Sequence, residues 1–503
     1  GLAGAGASSG MAMAHWEIQG WMILILGWVF VPFYTRSMVY TMPEFLERRY
    51  NPQSRTILSV ISLVSYVLTK VAVTVYAGGL VFQQVFGIKE LWGIDFFWIA
   101  AIGLVVLTAL YTIFGGMKSV LYTSVLQTPI LLLGSLIILV LGFKELGGWD
   151  EMMRVCGAVT VNDYGDTMTN LIRSNDDANF PWLGALIGSA IIGFWYWCTD
   201  QFIVQRVLSG KNEMEARRGT IFGAYLKLLP VFLFLIPGMI AFALHQKYIG
   251  AGGEGFLPML ANGTANADAA FPTLVAKLLP AGVKGLVVCG ILAALMSSLA
   301  SLFNSSAMLF TIDFYKRFKP ETPEKKLVGI GQIATIVIVV LGILWIPIMR
   351  SVGDVLYTYL QDVQSVLAPG IAAAFLLGIC WKRTSAQGGM WGLISGMVIG
   401  LTRLGAKVYY SNAGEVADST FKYLFYDMNW LFFCGWMFLF CIIVVIVVSL
   451  ATEAPTAEKI QGLVFGTATK KQKAATRASW NHWDIIHTVI ILAITAAFYW
   501  YFW

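Results

Sequence analysis

Gly193-Phe194-Trp195-Tyr196-Trp197-Cys198-Thr199-Asp200-Gln201 sets four aromatic rings against a hydroxyl, a carboxylate and an amide. These lie inside a segment, 180–207, that otherwise reads as an apolar helix ending near Arg206. A carboxylate at the centre of a membrane helix costs about 2.5–3.5 kcal/mol on insertion scales, so such groups mark pairs, cavities or solute paths. The stretch therefore decides the fold only if its surroundings are membrane.

They are. The runs 131–143, 231–244 and 431–450 are long and almost free of charge, as lipid-embedded helices must be. Of the 503 residues 58% are apolar and 12% charged, about half the charge of a soluble domain. This excludes a disordered chain, a collagen and an ordinary cytosolic enzyme. The net charge of +6 does not point to nucleic acid, because basic residues of a membrane protein gather in cytoplasmic loops. The six cysteines form no CxxC pair and read as small hydrophobes.

Apolar stretches bounded by charges and turn residues predict about twelve full helices, near 15–36, 53–86, 93–115, 120–143, 180–207, 217–246, 270–312, 325–350, 355–380, 386–404, 428–450 and 481–502. If the loop 36–55 lies inside, 21 of the 34 Lys and Arg fall in inner loops and 11 in outer segments, with Lys70 and Lys227 inside helices. The positive-inside rule thus makes 36–55, 206–218, 313–326 and 452–481 cytoplasmic. It makes the protein a multi-pass protein of the plasma or inner membrane with its C-terminus outside. The chain starts with a small-residue segment, Gly1 to Ala14, that is no signal peptide and looks like half of a helix.

Five polar islands fall at membrane depth. Glu17, after Trp16, is either an interfacial carboxylate or an acceptor for two solute hydroxyls. The 193–201 aromatics are lipid-belt or core rings, or faces for a pyranose, which has apolar C–H faces and a hydroxyl rim. Lys227 needs a carboxylate, carbonyl or solute oxygen. Ser297, Ser298 and Ser301 fit close helix packing, or a Na⁺ site built from hydroxyls beside the unwound carbonyls of a broken helix. Gln361, Asp362 and Gln364, near a turn at Ala368-Pro369-Gly370, serve interhelical bonding or a hydroxylated solute. Together, on five helices, they predict a hydrated central cavity and hence transport.

At these islands the chain resembles the solute:sodium symporter family, most closely its sodium/glucose cotransporter branch. The resemblance is carried by Gly1-Leu2-Ala3-Gly4 through Trp16-Glu17, Tyr40-Thr41-Met42-Pro43-Glu44-Phe45-Leu46 and Phe114-Gly115-Gly116. It continues through Trp195 to Gln201 with Val204-Gln205-Arg206, Tyr225-Leu226-Lys227, Ser297 to Ser301 with Phe303-Asn304-Ser305, and Pro369 to Arg383. It implies an all-α polytopic membrane protein with a five-plus-five inverted-repeat sodium-symporter core over 1–383 (repeats about 1–143 and 180–383) and peripheral helices over 384–503. It further implies that Glu17, Lys227 and Gln361 hydrogen-bond a monosaccharide, that Trp197 stacks on its ring, and that Tyr196 gates below it. Trp16 and Tyr357 would be wall residues. Co-transported Na⁺ would sit at the Ala294 carbonyl and the Ser297 and Ser298 hydroxyls.

Three departures from the family pattern follow. Gly193 replaces an Asn or Thr, so one hydroxyl contact is expected to be absent or water-mediated. Ser124 and Ala300 replace an Asp and a Thr of a second cation site, which predicts one Na⁺ per sugar. The chain also starts within the first core helix, so the remaining Na⁺ and sugar ligands are expected in a preceding segment. The expected function is Na⁺-coupled uptake of a glucose- or galactose-like sugar, with no organic cofactor and no covalent chemistry. The same fold carrying myo-inositol, sialic acid, an amino acid or a monocarboxylate is the alternative, and a membrane solute sensor is the alternative of another class. Asn262-Gly263-Thr264 is a glycosylation sequon in an outer loop.

Overall fold

The computed structural model of the chain describes residues 1–39, 41–260, 263–352, 355–413 and 417–503. Within its helices the side chains of 111, 113–121, 123, 124, 126 and 349–352 are not among those described. Ser124 and the sequon asparagine, Asn262, thus lie outside the described residues.

Among the described residues the regular structure is helical apart from a short hairpin pairing Glu90-Leu91 with Ile94-Asp95 and two isolated bridges, Thr160 with Thr167 and Met259 with Ala265. Short loop helices aside, it comprises α1 (Leu2–Ser37), α2 (Pro52–Phe86), α3 (Phe96–Leu146), α4 (Trp182–Thr199) and α5 (Gln201–Leu208). There follow α6 (Glu213–Gly250), α7 (Ala270–Leu278), α8 (Ala281–Phe318), α9 (Glu324–Val352) and α10 (Leu356–Cys380). The last three are α11 (Ala386–Asn412), α12 (Trp430–Ala451) and α13 (His482–Tyr501). Ten stretches among the described residues are long and apolar enough to cross a bilayer, with α1, α6 and α10 the most buried and α13 the least.

Hydrogen bonds sort the loops onto two faces. On one, Arg36 donates to Thr476 at 2.8 Å, Lys459 to the Glu47 carbonyl at 3.0 Å, and the Phe465 N–H to the Ile379 carbonyl at 2.9 Å. All these segments are ones that the Lys and Arg distribution places inside. On the other, Lys247 donates to the Leu146 carbonyl at 3.0 Å, Asn429 to the Ala178 carbonyl at 2.7 Å, and the Leu171 N–H to the Phe502 carbonyl at 3.2 Å.

Three elements differ from the sequence expectation. The predicted helices 93–115 and 120–143 are one hydrogen-bonded helical run of 51 residues, α3. Along it, Phe97 packs on Gly79 near the end of α2, Leu146 meets Lys247, and Thr112 shares a cleft with Asn304 of α8. The predicted helix 270–312 is divided at Pro280, which caps α8. The turn expected at Ala368-Pro369-Gly370 is absent: α10 continues through it. Gly370 is there because α11 crosses at backbone contact; a Cβ on Gly396 would lie 2.6 Å from the Gly370 Cα.

Candidate functional site

The central cavity forms where two helices lose regularity. In α1 a 3₁₀ turn at Gly10–Met13 and a four-residue helix at Ala14–Glu17 end in a break at Ile18-Gln19. In α4 a π-helical turn occupies Phe194–Thr199, after which Asp200 is extended and caps α5 by accepting from the Phe202 N–H. A π turn inserts one residue per turn and re-aims the side chains it carries, which is why such turns recur at functional sites.

Between these breaks and α6 and α10 lies a cavity of about 210 Å³. It is lined by Trp16, Glu17, Tyr196, Trp197, Lys227, Tyr357 and Gln361, all seven solute-site residues that the sequence nominated. Gln19, Gly193 and Gln364 complete its polar wall. The cavity is smaller than the roughly 300–1,000 Å³ of drug-sized pockets and suits a single-ring solute.

Its electrostatic centre is a triad around the buried Glu17. Lys227 Nζ lies 2.6 Å from Glu17 Oε2, and the Tyr357 hydroxyl donates to Glu17 Oε1. Glu17 thus faces its opposite charge in a place where neither ion could stand alone. The same ammonium sits 5.4 Å from the Trp197 ring centroid, within cation–π range. Trp197 meets Tyr196 edge to face at 5.1 Å. Trp16 is locked by stacking on Trp430 at 5.4 Å and by the edge of Phe180 at 6.0 Å. Two buried polar atoms of cavity residues, Trp16 Nε1 and Gln361 Oε1, have no hydrogen-bond partner among the described residues. One is a donor and the other an acceptor, the pair that a hydroxyl can satisfy.

The remaining polar residues of the islands do other work. Asp200 pairs with Lys70 and accepts from the Tyr66 hydroxyl at 2.9 Å. The Lys70 ammonium is ringed by Tyr66, Tyr196 and Phe202, at 4.7, 5.0 and 4.3 Å. Gln201 accepts from the Met42 N–H at 2.8 Å, and the Thr199 hydroxyl donates to the Trp195 carbonyl at 2.8 Å. Asp362 turns away from the cavity and pairs with Lys407 on α11.

The nominated Na⁺ residues lie on α8. Ala294 and Ser298 line a separate cavity of about 240 Å³, which also borders Leu2 and Ala3 of α1 and Asp268. Ser297 is not among its lining residues; its carbonyl accepts from the Ser301 hydroxyl at 3.0 Å. The Oδ1 of Asp268 is buried without a hydrogen-bond partner among the described residues, while its Oδ2 accepts from the Leu356 N–H at 2.9 Å. Asp268 and Ser298 are the two lining residues with side-chain oxygens, and the rest of the wall is apolar; carboxylate and hydroxyl oxygens are the donor types a hard cation takes.

A family model described as "Sodium:solute symporter family" matches residues 1–396. The chain belongs to that family. As a symporter of this family it is a sodium-coupled transporter of a solute. Among curated relatives, sodium/myo-inositol cotransporter 2 of Homo sapiens is 35% identical over 480 residues, covering 93% of this chain and 70% of that protein. Sodium/glucose cotransporter 1 of Ovis aries is 37% identical over 471 residues, covering 90% and 70%. Among solved structures, a Na⁺-coupled sialic acid symporter in a substrate-bound outward-open state matches with a TM-score of 0.66 at 20% identity, over 90% of this chain and 86% of that one. The likeness extends the symporter fold across nearly the whole chain.

Sequence reasoning missed Gln19 and the Lys70–Asp200 pair. Lys70 carried a signal, a lone cation in the apolar segment 56–86. Gln19 carried none that separates it from an ordinary helix-end amide.

Proposed function

We propose that this symporter couples inward Na⁺ flow to uptake of a monosaccharide or a similar cyclic polyol by alternating access. The observation that carries the reading is the convergence, on one small cavity, of the Trp197 ring, the Glu17–Lys227–Tyr357 triad and the unpaired polar atoms of Trp16 and Gln361. An aromatic face beside several hydrogen-bonding groups complements a ring with apolar faces and a hydroxyl rim. In this reading Glu17, Lys227 and Gln361 bond hydroxyls, Trp197 stacks on the ring, and Tyr196 forms the floor. A solute entering the cavity exchanges its hydroxyls for the contacts that Tyr357 and Lys227 now make to Glu17. Glucose or galactose is the first choice. Myo-inositol is the second, supported by the sodium/myo-inositol cotransporters among the relatives.

Na⁺ bound near the Ala294 carbonyl and the hydroxyls of Ser297 and Ser298 would enter with the membrane potential, gaining about 2.3 kcal/mol per 100 mV. Its binding would favour the solute-binding state, a coupling free energy between two sites. One Na⁺ per solute is proposed, since Ala300 offers only a buried methyl group. The proposed placement is the plasma or inner membrane, with inner loops at 36–55, 206–218, 313–326 and 452–481 and the C-terminus outside. The transport core is assigned to 1–383.

The test is uptake of labelled glucose, galactose and myo-inositol into proteoliposomes under an imposed Na⁺ gradient. At least one should accumulate with Na⁺ and not with K⁺, and Glu17→Ala and Trp197→Ala should each abolish most of the signal. Accumulation of none of the three, or uptake indifferent to both Na⁺ and Glu17, would overturn the reading.

A further inference from the structure

Gln19 is 2% exposed, and its Nε2 donates to the Ser189 carbonyl at 2.8 Å. That bond fixes the plane of the amide. A primary amide has a second N–H and a carbonyl with two lone pairs, so one donor and the Oε1 acceptor remain available at the cavity that Gln19 lines. The amide lies directly against Gly193. A Cβ built there would be 2.4 Å from Gln19 Oε1, 3.0 Å from its Cδ and 3.2 Å from its Nε2. No side chain at 193 fits while the amide stays where it is. The contact also joins the two backbone irregularities, because α1 breaks at Ile18-Gln19 and the π turn of α4 starts at Phe194.

We propose that Gln19 and Gly193 are a matched pair that determines solute selectivity: Gln19 reads one ring hydroxyl, and Gly193 is the space its amide occupies. The inference rests on the proposed function, since it takes the solute to be a hydroxylated ring. The contact expected from the sequence to be lost at Gly193 is instead supplied from α1. A neutral amide can both donate to and accept from the same hydroxyl. It therefore discriminates against an analogue lacking that hydroxyl without adding a second charge beside Glu17.

The experiment is Na⁺-driven uptake by wild type, Gln19→Ala, Gly193→Ala and the double variant, with each monodeoxy analogue of the transported solute as competitor. Wild type should discriminate against one analogue, at the hydroxyl Gln19 reads, by about tenfold or more. Gln19→Ala should lose that discrimination and keep those at the other positions. Gly193→Ala should reproduce the same loss by displacing the amide. The double variant should be no worse than Gln19→Ala alone, because both changes remove one contact. Retention of every deoxy penalty in Gln19→Ala overturns the proposal, as does multiplication of the two effects in the double variant. If Gly193→Ala does not reach the membrane, the deoxy profile of Gln19→Ala decides alone. Failure of unmutated protein to take up any ring solute is a different result: it removes the proposed function, and this inference with it.

Discussion

Lys70 and Asp200 tie α2 to the break between α4 and α5, and their charges can be removed one at a time or together. In Asp200→Asn the Lys70 ammonium stays buried with no carboxylate. Breaking a buried pair from one side costs about 3–5 kcal/mol. The rings of Tyr66, Tyr196 and Phe202 remain within cation–π distance of the ammonium and return about 1–2 kcal/mol of that. The net cost is about 1–4 kcal/mol. If the pair is lost on the way to the unfolding transition state, inactivation accelerates about 5- to 900-fold, at 1.36 kcal/mol per decade. In Lys70→Met the Asp200 carboxylate keeps two donors, the Tyr66 hydroxyl at 2.9 Å and the Phe202 N–H at 3.1 Å, so this variant should inactivate more slowly than Asp200→Asn. The double variant Lys70→Met/Asp200→Asn buries no charge here and should decay within about tenfold of wild type, since apolar replacement of a buried pair is often neutral. The assay is the fraction of monodisperse protein surviving timed heating in detergent, read by size-exclusion chromatography. A double variant that decays as fast as the product of the two single effects would refute the reasoning, because it would show that the two groups do not interact.

Other outcomes follow from the same structure. Trp197→Ala should weaken solute binding about tenfold, the ring contact contributing roughly 0.5–1.5 kcal/mol beyond the area it covers, whereas Trp197→Phe should recover most of it in an equilibrium binding assay. Lys227→Met leaves Glu17 buried with Tyr357 as its partner and should reduce both thermal stability and uptake. Adding Glu17→Gln to it should restore stability but not uptake, as measured by melting and flux on one preparation. Gly396→Ala places a methyl group 2.6 Å from the Gly370 Cα and should cost about 1–3 kcal/mol, as overpacking does, visible as a lower melting temperature with the apparent solute affinity unchanged. Ser298→Ala should raise the Na⁺ concentration for half-maximal uptake several-fold while leaving Na⁺-saturated solute affinity close to wild type.

The sequence made the cavity legible wherever a residue type was out of place. Glu17 and Lys227 stand in apolar runs where a charge is costly, and the structure joins them at 2.6 Å. The Trp195–Trp197 cluster announced itself by mixing rings with hydrogen-bonding groups. What stayed hidden depended on geometry between distant segments. Gln19 matters because a side chain is missing at 193, and neither position signals the other along the chain. Asp200, counted with the solute-facing island, is turned by the π-helical stretch toward Lys70 instead. The straight passage of α10 through Ala368-Pro369-Gly370 was misread as a turn. Glycine and proline suggest turns locally, and only packing decides whether a glycine marks a turn or a helix crossing.

The account's central claim is that a hydroxylated ring moves through this cavity together with Na⁺. The most direct measurement is charge movement in proteoliposomes on a solid-supported membrane when neutral sugar or polyol is added. The account predicts an inward positive current with Na⁺ present that vanishes in K⁺ medium and in Glu17→Ala. Solute uptake that carries no charge, or a current that persists without Na⁺, would contradict it.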